Sequence, residues 1–384
     1  MHIGVPRETS PGERRVALVP ESCKKLIQLG YTISIEAEAG AQAGFPDPTY
    51  REVGVSIERD PAALLGSADL ILKVNAPVSR DGQGEETGWM RPGALYVGSL
   101  MPLRNLGAVR ALAARGVTAF STDAIPRTTR AQSMDTLSSM ANIAGYKGAL
   151  LAAVELNKYF PMLMTAAGTV PPAKVFVIGA GVAGLQGIAT ARRLGANVFA
   201  TDVRPEVKEQ IESVGAKYVG IELREGASAG GGYAKELSEE DRVRQRELLE
   251  AQCAQSDAVI TTALIGGVFA PRLISADMVR SMKRGAVIVD LAADGGGNCE
   301  LSRPGETVSV GGVTIVAPLN LPASMPLHAS LLFSRNLTAF VQAFTTNSSF
   351  KVDLTDDIQQ GAIVTHEGTV KNQRAQDALQ KAGV

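Results

Sequence analysis

Cysteine is scarce in this chain, with three residues in 384. Cys23, Cys253 and Cys299 are far apart, and they show neither a C-x-x-C spacing nor an even number. A disulfide framework needs paired cysteines, and thiol redox or metal motifs need close spacing. We therefore expect free, buried thiols in a reducing compartment.

Blocks of like charge and long apolar runs are also missing. The net charge is −1 without any cluster of Lys and Arg, whereas nucleic-acid binding needs a basic face. No stretch approaches the roughly 20 consecutive apolar residues of a membrane helix. Residues 1–6 read as a β-strand and not as a signal peptide. We expect a soluble protein without nucleic acid and without direct membrane insertion, although it can still dock to a membrane partner.

Histidine, the commonest acid–base residue, occurs only three times. His2 lies on the predicted first strand, His328 begins a predicted helix, and His366 lies in a polar tail. None has metal-ligand spacing, so each is expected to be structural or solvated and no metal site is predicted. The chain shows no obvious general acid–base.

The length and the alternation of strand and helix signals indicate two α/β domains. At 384 residues the chain exceeds the usual size of one domain. The βαβ rhythm predicts two Rossmann-like domains with parallel sheets, a cleft between them, and long helices that link them. The expected first domain is residues 1–137 plus 326–384, and the expected second domain is residues 138–325.

Apolar runs and turn residues set the predicted elements. The first domain has predicted strands at 2–6, 32–36, 70–74, 95–99 and 117–121, with helices at 21–29 and 106–115. A long helix is predicted at about 134–159, and Pro171 and Pro172 close a short loop after it. The second domain has predicted strands at 175–178, 197–201, 258–262 and 286–291, with helices at 182–194, 205–214 and 238–255. Residues 224–233 are expected to form a flexible loop. A last apolar helix, about 327–344, is expected to pack back between the domains, and the polar tail after Lys351 to be partly loose.

The strongest motif is the glycine turn Gly179-Ala180-Gly181-Val182-Ala183-Gly184, between a predicted strand and a predicted helix. Gly179 permits the tight turn, Gly181 lets the backbone approach a pyrophosphate, and Gly184 lets the helix pack closely on the strand. The helix N-terminus at Val182 offers N–H groups and a positive dipole end to phosphates. This context predicts a dinucleotide site; the alternative is a glycine-rich turn in a Rossmann-like domain that binds nothing.

Asp202 ends the next predicted strand, 18 residues after Gly184. A carboxylate at this place accepts hydrogen bonds from both ribose hydroxyls and repels a 2′-phosphate, which favours NAD over NADP. Arg204 follows closely, and its charge leaves this selectivity open.

Three other polar groups have open interpretations. Residues 127–135, before the long helix, are expected where the domains meet and the nicotinamide end of a dinucleotide should lie. Spacing alone favours an ordinary helix N-terminus there, capped by Ser133 or Asp135. Arg14, Arg15 and Lys73 are candidate anion binders or members of salt bridges. The glycine-rich segment 290–298 is either a ligand-binding edge of the sheet or a plain turn.

Over its whole length the chain resembles the NAD(H)-binding subunit, or domain I, of proton-translocating nicotinamide nucleotide transhydrogenase. The resemblance rests on RTTRAQSMDTLSSMANIAGY (127–146), MTAAGTVPPA (164–173), the glycine turn through Asp202, the loop around 231–235, and DLAADGGGNCE (290–300). Alanine dehydrogenase is the nearest related family and shares the two-domain fold and the pattern VPRE…RVAL at 5–18.

This resemblance implies a set of site residues. The loop that holds the dihydronicotinamide, and with it the catalytic positions, is implied at Arg127, Gln132, Asp135 and Ser138. The implied cofactor-binding residues are Gly179, Gly181, Val182, Ala183, Gly184, Asp202, Val203, Arg204, Gly232, Tyr233, Thr262, Ala263 and Leu264, with Tyr233 on a loop that closes over NAD(H). The family has a Pro and a basic residue where this chain has Gly266-Gly267-Val268, so contacts are carried over only as far as Leu264.

The missing histidine separates the two related families. In alanine dehydrogenases an Arg and a Lys hold the substrate carboxylate, and a His is the acid–base. Arg15 and Lys73 are present here, but the corresponding stretch 95–103 (LYVGSLMPL) contains no His. Interconverting a C–N and a C=O centre needs proton transfer, whereas hydride transfer between two nicotinamides does not. The sequence therefore favours transhydrogenation; a stand-alone NAD-dependent amino-acid dehydrogenase and a non-enzymatic NAD sensor are the alternatives.

The resemblance also implies partners. NAD(H) would bind this chain and NADP(H) a partner subunit, with hydride transfer from NADH to NADP⁺ coupled to proton translocation by an integral-membrane subunit. It implies a homodimer, cytoplasmic and attached through its partners to the cytoplasmic face of the inner membrane.

Overall fold

A computed structural model describes residues 1–221, 228–229, 233–234, 238–264 and 269–381, with the backbone alone for 228–229 and 233–234. In chain order its main strands are β1 (His2–Val5), β2 (Thr32–Glu36), β3 (Ser56–Glu58), β4 (Leu70–Asn75), β5 (Leu95–Ser99), β6 (Thr118–Ser121), β7 (Leu163–Thr165), β8 (Gly168–Val170), β9 (Lys174–Ile178), β10 (Asn197–Thr201), β11 (Lys217–Tyr218), β12 (Ala258–Thr261), β13 (Val287–Asp290), β14 (Thr307–Val310), β15 (Val313–Val316), β16 (Ile363–His366) and β17 (Thr369–Val370). Short antiparallel pairs join Ser79–Arg80 to Gly84–Glu85, Ser228–Ala229 to Tyr233–Ala234, and Thr345–Thr346 to Ser349–Phe350.

The helices are α1 (Pro20–Gln28), α2 (Asp47–Arg51), α3 (Pro61–Ser67), α4 (Glu86–Trp89), α5 (Leu106–Ala114), α6 (Thr136–Glu155), α7 (Val182–Arg193), α8 (Val207–Ser213), α9 (Glu239–Gln255), α10 (Ala276–Ser281), α11 (Pro326–Ala343), α12 (Asp357–Ala362) and α13 (Gln373–Lys381). Short 3₁₀ helices cover Ala41–Ala43, Thr122–Ala124, Thr129–Met134, Ala293–Gly295 and Leu321–Ser324. The chain divides into two compact units, Met1–Met140 with Pro322–Val384, and Ala141–Leu321. The boundary between these first and second units falls inside α6.

The first unit contains an eight-stranded sheet in the order β17-β16-β6-β5-β4-β1-β2-β3. Strands β3 to β6 run parallel in the Rossmann order, with the reversal of strand order between β1 and β4. Strand β4 is buried over five consecutive residues because a parallel sheet is covered on both faces. Helix α11 belongs to this unit, where its Ser330 and Ser334 hydroxyls accept the backbone N–H groups of Val16 and Val19, each at 3.0 Å.

The polar tail after Lys351 completes this sheet, so the expectation of a partly loose tail was wrong. Strand β16 pairs antiparallel with β6 and with β17. Val364 is fully buried, and the Thr365 hydroxyl donates to the Val117 carbonyl at 2.7 Å. The segment is polar because strands at the edge of a sheet keep one face in water.

The second unit contains a seven-stranded sheet in the order β11-β10-β9-β12-β13-β15-β14. All neighbouring strands are parallel except the antiparallel edge pair β14 and β15. The strand order reverses between β9 and β12, and open α/β sheets bind ligands at such a reversal, beyond the carboxyl ends of the strands. The predicted α/β class with two mainly parallel sheets is confirmed.

The segment between α6 and β9 differs from the sequence prediction. Helix α6 ends at Glu155, and residues 163–170 form a β-hairpin, β7–β8, that was not predicted. The hairpin strands pair only with each other. Met164 on the hairpin is 76% exposed, and Val154, Tyr159 and Met162 before it are also exposed. The second unit therefore presents an apolar surface around this hairpin.

Candidate functional site

The glycine turn joins β9 to α7 at the reversal of strand order in the second unit. Gly179 has φ +89°, a backbone conformation that a residue with a side chain rarely adopts. A Cβ atom at Gly184 would lie 2.0 Å from the Gly179 carbonyl oxygen, so helix and strand approach too closely for any side chain there. Gly181 is the N-cap of α7, and no described heavy atom lies within 4 Å of a Cβ built on it. The turn therefore offers open space in front of a helix N-terminus.

The same helix N-terminus is braced from its other side by α6. A Cβ at Gly145 would lie 2.0 Å from the carbonyl oxygen of Ala183, so only glycine permits this crossing of α6 and α7. Sequence analysis did not single out Gly145, because a helical glycine has no signal of its own before the neighbouring helix is known. The first N–H groups of α7, including those of Val182 and Ala183, lack partners within the helix and are available to an anion.

Asp202 follows β10, and its carboxylate lies next to the glycine turn. It accepts the Ala180 N–H at 2.8 Å and the Arg204 N–H at 2.9 Å. The Arg204 guanidinium adds Nε and Nη2, each at 2.9 Å. Burial disfavours the charge of Asp202, but the Arg204 and backbone hydrogen bonds outweigh burial and hold its pKa below the usual value. Val203 lies between the two partners, and the Tyr218 hydroxyl donates to the Asp202 carbonyl at 3.4 Å.

The carboxyl ends of β12 and β13 complete this edge of the sheet. The Thr262 hydroxyl donates to the Gly179 carbonyl at 2.9 Å, which ties β12 to the glycine turn. Ala263 is held by the side chain of Asn298, and Leu264 is 36% exposed. Thr262, Ala263 and the glycine turn therefore lie at one site, together with Asp202.

Segment 290–298 is a structural turn in its acidic portion. The Asp290 side chain is fully buried and accepts hydrogen bonds from the Thr261 and Ser302 hydroxyls and from the N–H groups of Ala292, Asn298 and Cys299. Its five donors come from within the unit, so Asp290 fixes the turn, whereas Asn298 reaches the site edge.

The segment expected to hold the nicotinamide lies in the first unit. Residues Thr129–Met134 form a 3₁₀ helix whose period of three buries Ala131 and Met134 and exposes Gln132. Asn336 of α11 donates to the Ser133 carbonyl at 2.8 Å and anchors this 3₁₀ helix. Gln132 is therefore an exposed amide on a fixed backbone, and Arg127, before the 3₁₀ helix, is also exposed.

Asp135 caps α6, as the alternative interpretation expected. Its carboxylate accepts the Ser138 N–H at 2.8 Å and the Ser138 hydroxyl at 2.6 Å. Each carboxylate oxygen has about two acceptor sites, so this capping leaves Asp135 able to accept further hydrogen bonds. Ser138 is oriented through the same contact.

The cations near the N-terminus form ion pairs. Lys73 is fully buried, with its ammonium 2.8 Å from a Glu8 oxygen and 3.5 Å from a Glu86 oxygen. The guanidinium of Arg15 contacts both oxygens of Glu13, at 2.6 and 2.8 Å. Arg14 is exposed. Lys73 and Arg15 therefore have internal carboxylate partners, as the salt-bridge interpretation expected.

The three histidines all lie in the first unit by sequence position, and the second unit has none. His2 bonds the Ser34 hydroxyl at 2.9 Å, and His366 bonds the Thr118 hydroxyl at 3.0 Å. The three cysteines are buried and free, and burial raises the pKa of Cys23 and of Cys253 to about 12. These thiols and these two histidines serve packing and local hydrogen bonding.

Some predicted positions fall outside the description. Gly232 and the departure Gly266-Gly267-Val268 lie outside the described residues, and of Tyr233 only the backbone, paired with Ala229, is described. In the described part of the chain no cluster of three metal-ligating side chains occurs. Over those same residues, no helix combines the length and apolarity needed to cross a bilayer.

Comparisons with known proteins cover nearly the whole chain. Residues 4–144 match the family described as alanine dehydrogenase/PNT, N-terminal domain, and residues 148–373 match its C-terminal domain. The chain is 44% identical over 374 residues to the first portion of the NAD(P) transhydrogenase subunit alpha of Rhodospirillum rubrum, covering 96% of this chain and 97% of that protein. The crystal structure of a Sinorhizobium meliloti transhydrogenase, 44% identical, superimposes with a TM-score of 0.87 over 96% of this chain and 100% of the other. The alanine dehydrogenase of Halomonas elongata is 29% identical over 386 residues, covering 99% and 97%.

Proposed function

This chain belongs to the alanine dehydrogenase/PNT family, among the NAD(P) transhydrogenase alpha subunits, and from that premise we propose that it binds NAD(H) on its second unit and exchanges a hydride directly with NADP(H) held on a partner subunit. The glycine turn with Asp202 is the observation that carries the proposal. Its open helix N-terminus suits a pyrophosphate, and the Asp202 carboxylate beside it suits a ribose.

Hydride transfer between two nicotinamides breaks one C–H bond and forms another without any proton transfer. The protein then has to position one ring and exclude water, which requires fixed polar groups and no acid–base residue. The exposed amide of Gln132, the Asp135 carboxylate with Ser138, and Arg127 supply such polar groups for the ring. The absence of histidine from the whole 141–321 segment agrees with this chemistry.

The alternative, an NAD-dependent amino-acid dehydrogenase, needs cations for the substrate carboxylate and an acid–base for the amine. Lys73 and Arg15 are the candidate cations, and both are paired with buried glutamates. Binding a substrate carboxylate there would break pairs that have little water to replace them. The pairing supports transhydrogenation as the function.

Reconstitution tests the proposal directly. The purified chain is mixed with an NADP(H)-binding transhydrogenase subunit, NADH and an NADP⁺ analogue whose reduced form absorbs at its own wavelength. We expect turnover that requires both proteins. The control reaction supplies NAD⁺ and alanine, or NADH with pyruvate and ammonia, to the chain alone. Robust turnover in that control, or none in the reconstituted mixture, would contradict the proposal; NADH binding without transfer would support an NAD sensor.

We further propose that the chain forms a homodimer and attaches to the cytoplasmic face of the membrane through an integral-membrane partner, which couples the transfer to proton translocation. The exposed apolar residues Tyr159, Met162 and Met164 around the β7–β8 hairpin support the dimer, because an isolated two-stranded hairpin is only marginally stable in water. Met164→Glu should convert dimer to monomer in sedimentation equilibrium. Thr169→Glu, an exposed polar position of the same hairpin, is the control and should leave the dimer intact.

A further inference from the structure

The carboxylate of Asp202 has no acceptor site left for a ligand. Oδ1 accepts the N–H and the Nε–H of Arg204, and Oδ2 accepts the Ala180 N–H and the Nη2–H of Arg204. These four hydrogen bonds are 2.8 to 2.9 Å long. A carboxylate offers about four lone-pair sites, so the two ribose hydroxyls of a nucleotide would find all of them occupied.

The four donors differ in how easily they can move. The Ala180 N–H belongs to the glycine turn, and the Arg204 N–H belongs to the backbone directly after β10, so both are fixed by the fold. The guanidinium is the end of a flexible side chain, and the Arg204 side chain is still 17% exposed. A ligand that uses Asp202 therefore gains its acceptor sites by displacing Nε and Nη2.

We propose that the Arg204 guanidinium occupies the ribose-hydroxyl sites of Asp202 in the ligand-free protein and is displaced when NAD(H) binds, so that the Asp202–Arg204 pair sets both the affinity and the choice between NAD(H) and NADP(H). This rests on the proposed function, since it assumes that the dinucleotide binds at the glycine turn. The guanidinium fits the role because it presents two parallel donors, as a ribose presents two neighbouring hydroxyls.

The same pair decides how a 2′-phosphate is received. An Arg close to the end of the second strand is the group that accommodates this phosphate in NADP-binding Rossmann domains. Here the Arg204 charge is neutralised by Asp202, which also repels the phosphate. Removing the Asp202 charge should therefore release Arg204 as a phosphate-binding cation.

The test compares NADH and NADPH dissociation constants of the full chain by fluorescence titration, at raised salt to screen long-range charge effects. Arg204→Met keeps the aliphatic stem and removes the competing donors, so NADH should bind about fivefold more tightly, in line with the worth of a partly exposed ion pair. Arg193→Met removes a charge from an exposed position of the last turn of α7 and should change neither constant.

The second arm uses Asp202→Asn alone and combined with Arg204→Met. Asp202→Asn should weaken NADH by about tenfold and strengthen NADPH, and the added Arg204→Met should abolish the NADPH gain. Circular dichroism and melting temperature confirm that each variant is folded.

Two results would overturn the inference. Weaker or unchanged NADH binding by Arg204→Met would mean that the guanidinium contacts the cofactor or is no competitor. An NADPH gain that persists in the double variant would assign the phosphate to another cation, such as Lys208 near Tyr218. Wild-type protein that fails to bind NADH at all would instead contradict the proposed function itself.

Discussion

The side chain of Asn298 holds both polar groups of the Ala263 backbone. Its Oδ1 accepts the Ala263 N–H at 3.0 Å, and its Nδ2 donates to the Ala263 carbonyl at 2.8 Å. The same Nδ2 donates to the Pro271 carbonyl at 2.8 Å. One fully buried amide therefore joins the two ends of segment 263–271 and fixes Ala263 at the cofactor edge of the sheet.

Asn298→Asp should weaken both the fold and NADH binding. A carboxylate cannot donate to the Ala263 and Pro271 carbonyls and places a buried charge against them, so we expect a loss of about 2–4 kcal/mol in the free energy of unfolding. NADH should bind about tenfold more weakly because Ala263 shifts. Chemical denaturation and NADH titration measure the two effects. Asn197→Asp, at an exposed position, is the matched control; normal NADH affinity in Asn298→Asp would remove Ala263 from the site.

Gly181→Ala should separate binding from stability. A Cβ there meets no described atom within 4 Å, and the backbone φ of −72° is accessible to alanine, so the melting temperature should not fall. The methyl group would stand where the pyrophosphate approaches the backbone, and NADH affinity should drop by about tenfold or more. Gly107→Ala, equally open and exposed on α5, should leave both quantities unchanged. An unaltered NADH affinity in Gly181→Ala would place the pyrophosphate elsewhere.

Gln132→Asn should slow hydride transfer while leaving NADH affinity nearly intact. The 3₁₀ helix that carries Gln132 is anchored by buried Ala131 and Met134, so a shorter amide stays on the same backbone but reaches less far. A displacement of this size can reduce a positioned reaction by about 100-fold. Transfer in the reconstituted system and NADH titration provide the two readings, with Ser133→Ala as the control. A large loss of affinity with normal transfer would refute the positioning role.

Glu13 should make the first unit sensitive to acid. Burial raises its pKa, but the Arg15 and Asn75 contacts outweigh burial and lower it from 4.5 to about 2. A lowered pKa stabilises the folded state above about pH 4.5 and ceases to do so as the pH falls towards 2. The shift corresponds to about 3 kcal/mol at pH 7 and to roughly half of that at pH 3. Urea unfolding should show this loss in wild type and a weaker one in Glu13→Gln, whereas Glu38→Gln, an exposed position, should follow wild type.

The parallel strands could be predicted from the sequence because each is a compact signal. Strands β2, β5 and β10 have the predicted bounds, since each buried run stops at a charged or turn residue. The hairpin β7–β8 was missed because its residues are small, mixed in polarity and largely exposed. The tail strands were missed for the related reason that edge strands carry little apolar periodicity.

The site could be predicted only where one local motif sets it. Glycine spacing and Asp202 are readable along the chain, whereas the Asn298 contact joins residues 35 positions apart and becomes visible only when β12 and β13 are paired. The same holds for Gly145 against Ala183. The pairing of Arg204 with Asp202 is close in sequence, but its geometry depends on the turn that follows β10.

The return of β16 to the edge of β6 has a consequence for biosynthesis. The second unit is one continuous stretch of chain and can fold as soon as its last strand leaves the ribosome. The first unit is begun earlier but finished later, since β6 keeps an open edge until residues 363–366 have been translated. During that interval the nascent chain carries an unpaired strand edge, the kind of surface that chaperones bind and that aggregation exploits.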